Sequence, residues 1–220
     1  MNSCKLVAIT HPRIEGIETA EQFIAYTARV SNPANQMNTE TADKLIGYLI
    51  RNHHWSPFEM VHMTLEIKTT RDIARQILRH RSFSFQEFSQ RYGVATDFVC
   101  REARLQDAKN RQNSIELDES NNVHNIWFLN KQAELLKDVQ DIYDSALIRG
   151  IAKEQARAVL PEGLTGSTLY MSGTLRSWIH YCGLRMAHGT QKEHMEVARS
   201  AWNIVAEEFP NIVKAINEEV

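Results

Sequence analysis

Apolar and polar residues alternate strictly from Val61 to Lys68: Val61, Met63, Leu65 and Ile67 against His62, Thr64, Glu66 and Lys68. A period of two predicts a strand with one buried face. The short apolar run from Lys5 to Thr10 predicts another strand. Most of the remaining pattern is helical. Thr19 followed by Gln22 is a capping box that opens a helix through Phe23, Ile24 and Tyr26 to about Val30, where the turn Ser31-Asn32-Pro33 ends it. Leu45, Ile46, Leu49 and Ile50 mark a second helix from Glu40 to Asn52, with Thr39 as its expected cap. Ile73, Ala74, Ile77 and Leu78 mark a third, opened by Thr70 and Asp72.

In the second half, Ile126, Trp127, Ala133, Leu136, Val139, Tyr143 and Ala146 predict a long amphipathic scaffold helix from Val123 to about Arg149, closed by Gly150. A shorter helix follows from Ile151 to Val159, and a glycine-punctuated stretch from Gly163 to Gly173 reads as a short strand or turn. Leu175, Trp178, Ile179 and Cys182 open the next helix. The last two run from Gln191 to Glu208, with Met195, Ala198, Trp202, Val205 and Phe209 expected inside, and from Asn211 to Glu218. Ahead of the long helix, residues 97–125 form a polar excursion with few apolar anchors. The expected fold is mixed α/β (α+β), one domain over residues 1–220 with long helices packed around a small central sheet.

Composition narrows the class. With 43% hydrophobic and 24% charged residues the chain is ordinary for a globular protein, and no apolar run approaches the roughly 18–20 residues a membrane span needs. The first residues lack the features of a signal peptide, so the expected location is cytoplasmic, with no membrane partner. Cys4, Cys100 and Cys182 are odd in number and far apart, which argues against a disulfide framework or a Cys-x-x-Cys metal site. A net charge of −2 makes any arginine patch local and leaves broad nucleic-acid binding poorly supported.

The candidate chemistry concentrates between Ile73 and Tyr92. Arg75 and Arg79 lie four apart on one helix face and repel unless an anion sits nearby. His80 and Arg81 follow, and then Phe83, Phe85 and Phe88 interleave with serine, glutamine, glutamate and Arg91. One reading is a solvated helix with an aromatic-anchored loop. The sharper one is a site for a phosphorylated planar ligand, because guanidinium forks bind phosphate bidentately and serine and glutamine complete the hydrogen-bond set. The proline-marked loop from His53 to Glu59 also groups two histidines, a hydroxyl and a carboxylate.

Several mechanisms have no sequence support. There is neither G-x-G-x-x-G after a strand nor G-x-x-x-x-G-K-[ST], so a flavin or nucleotide would need another mode of binding. No H-E-x-x-H or paired Cys/His spacing occurs, and no metal is expected. Without a G-x-S-x-G elbow, Ser89 lacks an activating base. A nucleotide hydrolase would need a metal or base that is not found, and a nucleic-acid-binding module is disfavoured by net charge and by Glu87 within the arginine cluster.

Arg79-His80-Arg81, seven further residues (82–88) and then Ser89, with Arg91 two beyond, resembles the R-H-R-x7-S signature of the flavin-dependent thymidylate synthases. His54, Pro57, Phe58 and Glu59 reproduce that family's H-x-x-P-F-E pattern. Ala156 to Pro161 match A-R-x-V-L-P, and Leu184, Arg185, Gln191 and Glu193 match L-R-x(5)-Q-x-E. The resemblance covers most of the chain. It departs at Met60, where a histidine often stands, and at Thr174 and His180, where asparagines are expected.

What the resemblance implies is reductive methylation of dUMP to dTMP. Methylenetetrahydrofolate gives the carbon, reduced FAD gives the hydride, and NADPH regenerates the flavin. It assigns Gln76, Arg79, Glu87, Ser89, Arg91, Arg157 and Arg185 to dUMP. To FAD it assigns Ser56, Arg79, His80, Arg81, Glu87, Thr174, Arg176 and His180; His54, Glu59 and Gln191 are further site candidates with no ligand assigned. Arg185 is the implied catalytic residue, activating the uracil ring without a covalent enzyme nucleophile. The implied assembly is a homotetramer whose sites are shared between subunits.

Overall fold

A computed structural model describes residues 2–218. Strands β1 (Ser3–Ile9), β2 (His62–Thr70), β3 (Phe83–Glu87) and β6 (Gly166–Thr174) form an antiparallel-paired sheet in the order β1-β2-β6-β3. The alternation in β2 places Met63, Leu65 and Ile67 on the buried face, opposite Gly173, Met171 and Leu169 of β6. Phe83 and Phe85 continue that face on β3, and Leu6 and Cys4 on β1. Because β2 and β3 both run antiparallel to β6, they are parallel to each other, with helix α3 (Arg71–Ile77) as the crossover between them.

Helices α1 (Ala20–Ala28), α2 (Ala42–Arg51), α6 (Leu175–Arg185), α7 (Lys192–Glu208) and α8 (Pro210–Asn217) share the main core with the sheet. The capping box of Thr19 and Gln22 forms as expected. The cap of α2 does not. Thr41 rather than Thr39 holds that position, and its hydroxyl accepts from Arg29 Nη2 at 2.8 Å instead of capping the helix. Thr70 likewise makes no cap hydrogen bond: its hydroxyl donates to Asp72 Oδ1 at 2.6 Å. The inner stripe of α7 is His194, Val197, Ala198, Ala201 and Val205, which leaves Met195 and Trp202 only half buried.

The glycine-punctuated stretch proves to be the nine-residue strand β6, paired on both sides. Its small residues have a packing role. A Cβ on Gly173 would lie 2.4 Å from Phe83 Cδ1, so only a glycine lets the Phe83 ring cross β6. That ring is held edge-on against Trp178, centroids 4.9 Å apart, while the Trp178 indole N–H donates to the Met63 carbonyl at 3.0 Å.

Helix α4 (Asn122–Ile148) is closed by Gly150 at φ +79°, with Ile151 N–H returning to the Ala146 carbonyl at 3.0 Å. It packs on α5 (Lys153–Ala156) and on a satellite core of Ala95, Val139, Tyr143, Ala156 and Leu160. Its expected inner stripe is only partly inside. Val139 and Tyr143 are buried, but Ile126 and Trp127 are 53% and 61% exposed, because the first half of the helix meets the chain through Asn125 and the buried Gln132, which bond to residues 101–103, and not through those two side chains. The polar excursion contains a hairpin of β4 (Arg104–Gln106) and β5 (Ser114–Glu116). None of the described helices is long and apolar enough to cross a membrane.

Gly173→Ala is expected to destabilise the fold by about 1–3 kcal/mol in denaturant unfolding through overpacking against Phe83. Adding Phe83→Leu should recover part of that loss.

Candidate active site

The arginine-rich turn sits between two anchored elements. Buried Ile73, Ala74 and Ile77 seat α3 in the core, and Phe83 seats β3, so residues 78–82 are held at the end of the sheet where α6 also begins. Arg185 comes from the last turn of α6 and Gln191 from the residue that precedes α7. These elements enclose an open cleft of about 610 Å³ lined by Arg75, Gln76, Arg79, Gln112, Arg185, Gly189, Thr190 and Gln191.

Charge in this cleft is unbalanced. Arg75 is neutralised by Glu162, with Nε donating to Oε1 at 2.8 Å. Among the described residues neither Arg79 nor Arg185 has a carboxylate partner. Instead, Arg185 Nε–H donates to His80 Nε2 at 2.9 Å. His80 must therefore be neutral, with its proton on Nδ1. Burial, followed by the charges of Arg185, His180 and Arg79, lowers its pKa to about 4. His194, fully buried on α7, lies 3.1 Å from the Tyr181 hydroxyl and 3.3 Å from Gln76 Oε1. Burial and then Arg185, His80 and Arg79 bring its pKa down to about 3. A site that keeps two histidines uncharged beside free guanidiniums reserves its positive charge for a ligand anion.

A neighbouring cleft of about 710 Å³ is lined by Trp55, Glu59, Ser82, Arg176, Ser177, Ile179, His180, Gly183 and Leu184. Here Arg176 is paired with Glu59. Thr174 caps α6: its hydroxyl accepts from Ser177 N–H at 3.1 Å and contacts Ser177 Oγ at 3.0 Å. His180 faces this cleft, whereas Met60 is 49% exposed outside it. Ser56 opens the short 3-10 helix Ser56–Met60 beside it. His54 is exposed and stacks edge-on against Tyr48 at 5.9 Å. Arg81 is also exposed.

The candidates from the sequence thus divide. Gln76, Arg79, Arg185 and Gln191 meet in one cleft, Glu59, Arg176 and His180 in the other, and His80 contacts Arg185. The others line neither cleft. Glu87 accepts from Ser167 Oγ at 2.8 Å and pairs with Arg71 at 3.4 Å; Ser89 Oγ accepts from Arg91 N–H at 3.4 Å; Arg91 pairs with Glu154 at 3.3 Å; and Arg157 lies on the 3-10 turn Arg157–Val159. The sequence reading passed over His194 and Gln112. His194 follows the matched Gln191 and Glu193 directly, a signal that adjacency could have supplied. Gln112 carried none, since it belongs to the polar excursion.

Residues 14–211 match the Thy1 family, described as thymidylate synthase complementing protein. A protein of Paramecium bursaria Chlorella virus 1 named probable flavin-dependent thymidylate synthase is 50% identical over 216 residues, covering 98% of this chain and 99% of that one. The flavin-dependent thymidylate synthase of Synechocystis sp. is 51% identical over 216 residues, covering 96% and 98%. Among solved structures, the UMP/dUMP methylase PolB from Streptomyces cacaoi, bound with 5-Br dUMP, aligns at a TM-score of 0.84 and 26% identity over 100% of this chain and 97% of its own. An arginine cleft on this fold, with relatives of that similarity over nearly the whole length, defines the class. The chain belongs to the flavin-dependent thymidylate synthases.

Both histidines are held far below the ordinary value of 6.5, so the unfolded chain binds protons that the folded chain does not. Their contribution to stability is therefore full above about pH 6.5 and is lost as pH drops toward 3. Fully buried His194 alone should account for a loss on the order of a few kcal/mol over that range. Urea unfolding across pH checks this, and His194→Gln should flatten the dependence.

Proposed function

We propose that this chain converts dUMP to dTMP, taking the carbon from methylenetetrahydrofolate. The observation that carries the reading is the pair of guanidiniums without carboxylate partners among the described residues, Arg79 and Arg185, facing one cleft beside a neutral histidine. Arg79, Gln76 and Gln191 suit a nucleotide's oxygens. Arg185, steadied through Nε by His80, keeps its terminal amino groups for the negative charge that develops on the uracil ring as N3 is deprotonated.

The donor set of the neighbouring cleft suits FAD. Arg176, Ser82, Ser177 and His180 offer hydrogen-bond donors for phosphate and ring oxygens, and Trp55, Ile179 and Leu184 offer an apolar wall. When bound, FAD supplies the hydride and NADPH reduces it again. The chain's own task is then to bind, orient and polarise, and no protein nucleophile is required. Cys4 and Cys182 fit that reading, since burial pushes the Cys4 thiol to about 12 and the Cys182 thiol higher still.

A homotetramer with shared sites is the assembly we favour. Glu87, Ser89, Arg91 and Arg157 lie outside both clefts of their own chain, in keeping with a role toward a neighbour's ligand. Helix α4 carries exposed Val123, Ile126, Trp127, Leu135, Ile142 and Ile148, an apolar face of the kind that subunits cover. Multi-angle light scattering should give four chains per particle, and a fully active monomer would refute this assembly.

Purified protein loaded with FAD should form dTMP from dUMP, methylenetetrahydrofolate and NADPH under anaerobic conditions; failure to bind FAD would sink the proposal. The Cys4→Ala/Cys100→Ala/Cys182→Ala protein should keep its turnover. Arg185→Ala should lose roughly 3–4 kcal/mol of transition-state stabilisation with FAD still bound.

A further inference from the structure

The amide wall of the arginine cleft is part of a longer hydrogen-bonded chain that leads out of it. Tyr181 OH lies 3.1 Å from His194 Nε2, and His194 Nδ1 lies 3.3 Å from Gln76 Oε1. Gln76 Nε2 donates to Gln191 Oε1 at 2.7 Å, and Gln191 Nε2 donates to Glu193 Oε2 at 2.9 Å. Arg104, from strand β4 of the excursion, then donates through Nη2 to Glu193 Oε1 at 2.6 Å. The side chains of Arg104 and Glu193 are each 13% exposed.

Most links in this chain could run either way. An amide can be turned over, a neutral imidazole can carry its proton on either nitrogen, and a hydroxyl can donate or accept. The end group has no such freedom: an ionised carboxylate only accepts. Burial acts to raise the Glu193 carboxyl, but hydrogen bonds from its own backbone N–H and from Gln191, with the Arg104 and Arg101 charges, together hold it below the usual carboxylate value. It is therefore charged at neutral pH. Gln191 must then turn its nitrogen to Glu193 and its oxygen to Gln76. Gln76 in turn must present its nitrogen to Gln191 and its oxygen to His194, whose proton is thereby assigned to Nδ1.

We propose that Glu193 is a positioning residue that sets, through Gln191, which edge of the Gln76 amide meets the nucleotide. The role of that nucleotide rests on the function proposed above. Each cleft amide keeps one unused N–H and one unused lone pair, and turning the chain round exchanges their places. A phosphate or ring oxygen that met a donor would then meet an acceptor, which leaves both groups unpaired. Arg104 makes the arrangement depend on the excursion, since it is β4 that delivers the guanidinium to Glu193.

The geometry gives a sharp test in Glu193→Gln. Arg104 can only donate, so it holds the new amide oxygen and turns the amide nitrogen toward Gln191. Every link should then reverse, moving the His194 proton from Nδ1 to Nε2. Solid-state ¹⁵N spectra of histidine-labelled protein read the tautomer directly, with His194 assigned by difference against His194→Asn. The parent should show Nδ1–H and Glu193→Gln should show Nε2–H, while dUMP binding to the FAD-loaded protein weakens about tenfold by calorimetry. Gln191→Met cuts the relay but leaves the Arg104 and Glu193 pair in place, and should give mixed tautomers with a similar loss of dUMP affinity. Glu193→Asp, which keeps the carboxylate, should retain Nδ1–H.

An Nε2–H parent, or an unchanged His194 tautomer in both Glu193→Gln and Gln191→Met, would overturn the inference, even if dUMP binding fell because the hairpin had loosened. So would a switched tautomer with dUMP affinity within twofold of the parent. The tautomer arm needs no nucleotide, so its result stands apart from the assignment of dUMP as substrate.

Discussion

The turn that bears Arg79 and His80, and its meeting with Arg185, depend on Phe83 crossing a strand that has no side chain at Gly173. That crossing locks β3 to β6 and presses both against Trp178 of α6. The turn bearing Arg79, His80 and Arg81 is tied to β3 at one end and to the buried face of α3 at the other. Helix α6, starting directly from β6, carries Arg185 to meet it. The approach of Arg185 Nε to His80 is thus set by interior packing, which holds position more tightly than the long arginine side chains could by themselves.

Upon this frame the electrostatics follow one rule. Carboxylates neutralise two of the cations that line the clefts, as Glu162 does for Arg75 and Glu59 for Arg176. Arg185 instead faces the neutral His80 imidazole, and Arg79 shares its cleft with the amides of Gln76, Gln112 and Gln191. Neutral partners orient a guanidinium without cancelling its field, so the cleft retains its attraction for an anion. The cost is borne by His80 and His194, which cannot take up a proton in the folded state at neutral pH.

What could be read in the sequence was whatever has a short period or a local partner. The alternation of β2, the capping box at Thr19 and the glycine closure of α4 all lie within a few residues, and all took the expected form. The signature residues Arg79 and Arg185 could be chosen by motif, and Gln76 and Gln191 with them. Strand β6 was harder, because its glycines and serines weaken the β pattern for the sake of rings supplied from elsewhere in the chain. Thr70 does stand at the N-cap of α3, while that of α2 is Thr41 and not Thr39; neither hydroxyl caps its helix, because Asp72 and Arg29 engage them, contacts that local spacing does not reveal. Likewise the line from Tyr181 to Arg104 joins α6, α7, α3 and β4, and only the folded chain puts them in one row.

Helix α4 spans 27 residues, about 40 Å at the usual rise, yet within the chain it buries only Gln132, Val139 and Tyr143. The sheet and its helices hold a far larger core. Two such unequal bodies have unequal local stabilities, and the smaller opens first. Amide protons along α4 would therefore exchange by a partial opening that leaves the sheet closed, except where a second surface covers the helix. Association would then merge two cooperative units into one, making the slowest-exchanging amides of α4 a record of how long the assembly stays together.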